Sequence, residues 1–150
     1  MTADSRTLKN IATLDPKCQA QFRAFAEAAK DVAAKFGCDY VMISGNRTWE
    51  EQDALYKQRP RVTKAPGGYS NHNFKIAGDF GVMRGKEYLD ETNPALASKV
   101  HKACAVLAPK FGLEWGGSWK SFTDEPHYQV ATGLTMASKR LIYKAKGSLL

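Results

Sequence analysis

His72, Asp79 and His127 are the residues of this sequence whose types best suit a shared chemical task. Zinc accepts imidazole and carboxylate ligands, and a catalytic site takes three of them from the protein so that a fourth position stays open to water. Ser70-Asn71-His72 and Ala77-Gly78-Asp79 set an imidazole and a carboxylate seven residues apart, so a turn must separate them if they are to meet on one ion. Asp124-Glu125-Pro126-His127 adds a second imidazole, with two carboxylates just upstream in a segment stiffened by proline. Spacing by itself leaves two readings open: one metal site, or separate surface and core roles.

Periodicity and punctuation define the elements that must carry these residues. Asp15 and Pro16 suit a helix start, and Phe22, Phe25, Ala26, Ala29, Val32, Ala33 and Phe36 then recur at helical spacing until Gly37. Tyr40 to Ser44 reads as a buried strand, and Thr48 with Glu51 as a capping box for a helix to about Lys57. Arg59 to Gly68 is a basic loop containing proline and glycine. Ile76 to Met83 is strand-like, with Gly78 and Gly81 marking bends or close backbone approaches. Asn93 and Pro94 begin a helix with a buried stripe of Leu96, Val100, Ala103 and Leu107, which leaves His101 off the stripe and partly solvated. Trp115 to Trp119 is a glycine-rich aromatic turn, His127 to Val130 a last strand, and Thr135 to Lys144 a closing helix. With no internal repeat or linker, residues 1–150 are expected to form a single α+β domain.

A chain of 150 residues buries enough surface for one core without staples, and 43% hydrophobic with 25% charged residues excludes a disordered composition. The net charge of +7 favours polyanionic surroundings. No aromatic platform or recognised nucleic-acid motif accompanies it, so no specific nucleic-acid partner is expected, and Lys139, Arg140, Lys144 and Lys146 read as a solvated helix face. Cys18, Cys38 and Cys104, odd in number and widely spaced, are expected to be packed or free thiols made in a reducing compartment. Met1 to Asn10 has no apolar segment, and no window approaches the ~20 apolar residues of a membrane span.

Three ordered motifs between Ser44 and Gln129 resemble one peptidase family. Ser70-x-His72 followed by Ala77-x-Asp79 is similar to the SxHxxGxAxD signature of zinc peptidases that include VanY-like D-Ala-D-Ala carboxypeptidases and the L-alanyl-D-glutamate endopeptidases of phage endolysins. Glu114-Trp115-Gly116-Gly117-x-Trp119 and Phe122-x-Asp124-x-Pro126-His127-Tyr128-Gln129 resemble the endolysin branch, as does Ser44-Gly45-Asn46-Arg47-Thr48 continuing to Leu55-Tyr56. This resemblance implies a LAS-type fold, a small antiparallel sheet flanked by helices, with Zn2+ held by His72, Asp79 and His127. It implies Asp124 as catalytic base and a helper role for Arg47, either toward the oxyanion or toward a substrate carboxylate. The competing readings pair Arg47 with Glu50 or Glu51, make Glu125 the base, place Trp115 and Trp119 as core and cleft walls, and give Ser70 a hydrogen-bonding support role. Lys75 stands where the signature has glycine; if that position needs positive φ, lysine costs ~1–2 kcal/mol there.

The implied function is cleavage of the L-alanyl-D-glutamate bond of peptidoglycan stem peptides by a monomeric endolysin. Such an enzyme accumulates in the cytoplasm of the producing or infected bacterium and reaches the wall after holin-mediated release, where positive charge favours anionic wall polymer. The alternatives are D-Ala-D-Ala carboxypeptidase activity and a catalytically impaired, zinc-containing wall-binding module.

Overall fold

Capping chemistry sets where the helices begin. Asp15 accepts from the Lys17 amide with Pro16 at the first helical position, opening α2, Pro16–Ala34. Thr48 and Glu51 close the reciprocal box that opens α3, Trp49–Lys57. This computed structural model describes residues 2–150, and it adds an N-terminal helix, α1, Ala3–Ile11, capped by Thr2. Thr7 and Ile11 are its buried residues. A short α4, Leu89–Thr92, leads through the Asn93 cap into α5, Pro94–Ala105, and Thr135 caps α6, Met136–Lys146.

An antiparallel sheet runs in the order β1 (Asp39–Ser44), β2 (Ala77–Arg84), β5 (His127–Val130), β4 (Leu113–Trp115), with the two-residue β3 (Glu87–Tyr88) beside β2. Register is what matters for function: Asp79 lies opposite both Ser44 on β1 and His127 on β5. Residues directly opposite in an antiparallel pair share a face, so these three side chains point the same way. Their neighbours Phe80 and Tyr128 point the other way, into the core, where Phe25 of α2 meets both rings at 5.4 and 4.6 Å between centroids. The sheet therefore has a core face under the helices and a chemical face.

Gly78 and Gly81 lie within a regular strand rather than at bends, and close approach is the reason. A Cβ on Gly78 would stand 2.0 Å from Met42 Cε, and one on Gly81 would stand 2.8 Å from the Tyr88 ring. The α5 stripe is also rotated from its expected position: Ala97, Val100, His101, Cys104 and Ala105 are buried. His101 is thus not partly solvated but 2% exposed. Its Nε2 donates to Asp90 Oδ2 at 2.6 Å, Nδ1 accepts from the Tyr40 hydroxyl at 2.7 Å, and Tyr40 accepts from Tyr128 at 2.8 Å. Partners on two other elements, α4 and β1, satisfy the ring, which is why burial is tolerated. All three cysteines are free and buried, and burial pushes the Cys18 and Cys104 thiols up to about 12, so neither is a nucleophile at neutral pH.

Lys75 adopts φ 59, the left-handed region, between the turn that holds His72 and β2. Its amide donates to Asn46 Oδ1 and its carbonyl accepts from the Asp15 amide, both at 2.9 Å, so the strained conformation is anchored on both sides. The side chain is exposed and takes no part in the cleft wall described below. Lys75→Gly should relieve ~1–2 kcal/mol of crowding and lose ~0.5–1 kcal/mol to the freer unfolded chain. The expected net result is a gain of about 0.5–1 kcal/mol, read as a thermal midpoint higher by ~1–4 °C. An unchanged or lower midpoint would assign the lysine side chain a stabilising role of its own.

Candidate metal centre

On the chemical face, three donor atoms converge. His72 Nε2 and His127 Nδ1 each lie 3.3 Å from Asp79 Oδ1 and 3.2 Å from one another. Ligands ~2.0–2.1 Å from a tetrahedral zinc are ~3.3–3.4 Å apart, so this triangle has the size that zinc demands. The hydrogen bonding fits the same ion. Asp79 Oδ1 is buried without a hydrogen-bond partner, while its other oxygen accepts from Ser44 Oγ at 3.1 Å. His72 Nδ1 donates to the Gly45 carbonyl at 3.3 Å and His127 Nε2 donates to Gln129 Oε1 at 2.7 Å. These outward protons leave the two inward nitrogens as lone pairs, so three acceptors face one another with no proton between them. A buried orphan acceptor beside two lone pairs is costly without a cation, and outer hydrogen bonds of this kind orient metal-binding histidines.

Burial alone would raise the Asp79 carboxyl pKa, but its contacts with His127 and His72 outweigh burial and hold it well below the usual carboxylate range. Asp79 is therefore ionised at neutral pH. Burial lowers the His127 pKa, but Asp79 and Gln129 prevail and raise it above the ordinary histidine value. A proton and a metal cation accordingly compete for the same pocket.

The triad opens onto a cleft of about 910 Å³ whose walls include Arg47, Ser70, Trp119 and Asp124. Asp124 reaches it through the turn before β5, where its amide donates to the Gly116 carbonyl at 3.0 Å and its carbonyl accepts from the His127 amide at 3.1 Å. Burial, and next the neighbouring Asp79 charge, raise the Asp124 carboxyl pKa. Glu125 points elsewhere: its Oε2 accepts from Ser98 on α5 at 3.0 Å, and its carbonyl accepts from Trp115 Nε1. Trp119 stands 5.1 Å from the His127 ring as a cleft wall, and Trp115 packs at the core margin. Ser70 Oγ accepts from the His72 amide at 3.3 Å, a support for the turn.

Arg47 is not paired with Glu50 or Glu51. Its Nη1 donates to Oε1 of Gln52, a fully buried side chain, at 2.8 Å, and its backbone is tied to His72 O and Asn73 Nδ2. Several supports escaped sequence reasoning. Gln52 is one, and Gln129 with Glu114 is another, since Gln129 Nε2 donates to Glu114 Oε1 at 2.9 Å and extends the His127 contact outward. Gln52 and Gln129 both lie within the motifs that resemble the peptidase family, but neither motif assigned them a supporting role. Lys139 corrects the expectation of a solvated basic face: it is 4% exposed, with Nζ donating to Asn71 Oδ1 at 2.6 Å, because the α6 face that packs inward includes it.

Comparison with known proteins finds peptidase relatives. The profile of the D-alanyl-D-alanine carboxypeptidase family matches residues 63–130. The chain is 38% identical over 117 residues to the peptidoglycan L-alanyl-D-glutamate endopeptidase CwlK of Bacillus subtilis (strain 168), covering 70% of this chain and 68% of that protein. It is 30% identical over 125 residues to the L-alanyl-D-glutamate peptidase of Listeria phage A118, covering 83% of this chain but 41% of the phage protein. The fold is similar to that of Serratia marcescens L-Ala D-Glu endopeptidase ChiX, with a TM-score of 0.57 at 20% identity over 86% of this chain and 89% of that one.

Proposed function

The chain belongs to the D-alanyl-D-alanine carboxypeptidase family of metallopeptidases, and on that premise we propose that it is a zinc endopeptidase cutting the L-alanyl-D-glutamate bond of peptidoglycan stem peptides. The observation that carries this reading is the triangle of His72, Asp79 and His127 donor atoms, 3.2–3.3 Å on each edge, opening onto a cleft walled by Asp124. The choice of bond rests on the likeness to the Bacillus and phage peptidases.

In this mechanism His72, Asp79 and His127 hold the ion. Zinc held there would supply a water of lowered pKa, from about 15.7 toward ~7, and a Lewis acid for the scissile carbonyl. Asp124 accepts the proton of the attacking water and passes it to the leaving amine, a role worth ~10²–10⁴ in rate. Burial and the Asp79 charge raise its pKa, which makes its carboxylate a stronger base than that of an exposed aspartate. Arg47 has one guanidinium nitrogen held by Gln52, which orients its remaining N–H donors for the oxyanion or a substrate carboxylate. Trp119 covers the His127 ring and restricts water on that side.

Residues 1–150 act as one peptidase domain and as a monomer. The protein serves as a phage or prophage endolysin, accumulating in the cytoplasm until a holin opens the membrane. No helix among the described residues is long and apolar enough to cross a membrane. The +7 charge helps retain the enzyme on anionic wall polymer. Exposed charges are screened over ~10 Å at about 0.1 M salt, so cosedimentation with purified walls should fall steeply as salt rises. Binding that does not change with salt would refute an electrostatic anchor.

The deciding experiment is mass spectrometry of purified peptidoglycan after digestion, with and without a chelator. New D-glutamate amino termini that disappear with the chelator are expected. Release of terminal D-alanine instead would mark a carboxypeptidase, and wall binding without any cleavage would mark a binding module.

A further inference from the structure

One buried amide organises the cations of the cleft. Gln52 is fully buried; its Oε1 accepts from Arg47 Nη1 at 2.8 Å, and its Nε2 donates to the Ala65 carbonyl at 2.7 Å and to Thr63 Oγ1 at 3.4 Å. The basic loop is fastened twice more, by Gly67 N to Asp53 Oδ1 at 2.7 Å and by Gly68 N to Asn73 Oδ1 at 3.1 Å. Arg61 and Lys64 are therefore carried on a pinned loop, at the rim of the same cleft that Arg47 walls. Among the described residues, neither these two nor Arg47 has a carboxylate within ion-pair distance. The Arg61 guanidinium lies 4.9 Å from the Tyr56 ring centroid, a contact that orients it without neutralising it. The acids in the cleft wall, Asp79 and Asp124, are committed to the metal and to proton transfer, so the cleft holding a dication is strongly positive.

We propose that Arg61 and Lys64 form a carboxylate-recognising rim, selecting acidic peptides that carry a free carboxylate beside the scissile bond. Held by the fixed Gln52 bridge, the rim keeps its spacing from Arg47, so less side-chain and loop freedom is lost when the anion binds. The inference rests on the peptidase reading above and adds to it the charge of the substrate. Two carboxylates of a stem peptide offer this chemistry: the α-carboxylate of a γ-linked D-glutamate, and the side-chain carboxylate of a diacidic third residue.

The test uses four synthetic stem peptides, in which each of these two carboxylates is either free or amidated, with the zinc-loaded 150-residue chain and its Arg61→Gln/Lys64→Gln variant. For the wild type, kcat/KM should favour the free acid by roughly tenfold to a hundredfold at the carboxylate that the rim reads, the range expected of charge-assisted hydrogen bonds. In the double variant that preference should collapse to within a few-fold, with most of the change in KM and with its salt dependence reduced. Which peptide loses the preference identifies the carboxylate. Direct binding of uncleaved peptide to the metal-free protein, by titration calorimetry, should show the same loss. A wild type that cuts free-acid and amidated peptides equally, or a double variant that keeps the full preference, overturns the rim. A wild type that binds zinc but cuts none of the four peptides overturns the peptidase reading instead.

Discussion

His127→Ala is expected to lose both metal and turnover, whereas Asp124→Ala keeps near-stoichiometric zinc and loses turnover by ~10²–10⁴. The two side chains are three residues apart but hold different positions. His127 Nδ1 is one corner of the donor triangle, and removing it leaves two, His72 Nε2 and the buried Asp79 Oδ1. Asp124 belongs to the cleft wall outside that triangle, so its loss leaves all three donor atoms in place. Metal analysis of both variants after dialysis, with single-turnover rates on a stem peptide, separates the roles. Zinc lost from Asp124→Ala would make Asp124 a ligand, and zinc kept by His127→Ala would remove His127 from the set.

Gly116→Ala should be the most damaging substitution outside the ligands and base. An added Cβ would stand 2.4 Å from the Asp124 carbonyl oxygen and 3.0 Å from His127 Cβ. The first obstacle is backbone, so the segment that carries both the proposed base, Asp124, and the proposed ligand, His127, must move. Overpacking of this kind costs ~1–3 kcal/mol. Displacing a ligand's support weakens metal binding ~10–100-fold, and a shift of about 1 Å at the reacting groups lowers turnover by ~10². Gly78→Ala provides a milder contrast, because its Cβ would stand 2.0 Å from Met42 Cε, the end of a flexible but fully buried side chain, and no closer than 3.0 Å to backbone, at the Ser44 carbonyl oxygen. Metal affinity, turnover and thermal midpoint measured on both variants test the distinction. A Gly116→Ala enzyme equal to wild type in all three would show that the Asp124 turn yields easily, and that its tight contact with Gly116 does not position the site.

Much of this protein is written locally. Asp15 with Pro16, Thr48 with Glu51, Asn93 and Thr135 mark four helix starts, because a cap needs only a side chain and an amide two or three residues away. The His127–Val130 strand and the loop from Arg59 to Gly68 are legible for the same reason. The donors His72, Asp79 and His127, and the acid Asp124, are visible as residue types within recognisable motifs. Their convergence is not, since the spacing alone allowed separate roles.

The tertiary structure decided that convergence through register: Asp79 faces His127 across β2 and β5, and a one-residue slip would turn one of them into the core. It also sent Glu125 to Ser98 on α5 while leaving Asp124 on the cleft wall, and it took Arg47 from the nearby glutamates to Gln52. His101 and Lys139 reversed their expected exposure on the same principle. A polar side chain can be buried when its partners are in place, and those partners, Tyr40 and Asp90 for His101 and Asn71 for Lys139, come from elements distant in the chain. Capping and periodicity depend on neighbours along the chain, so the sequence by itself determined the donor types and most of the elements, though not α1, β3, α4 or β4. Satisfaction of buried polar groups depends on neighbours in space, so only the folded chain determined which donors meet and which residues hold them.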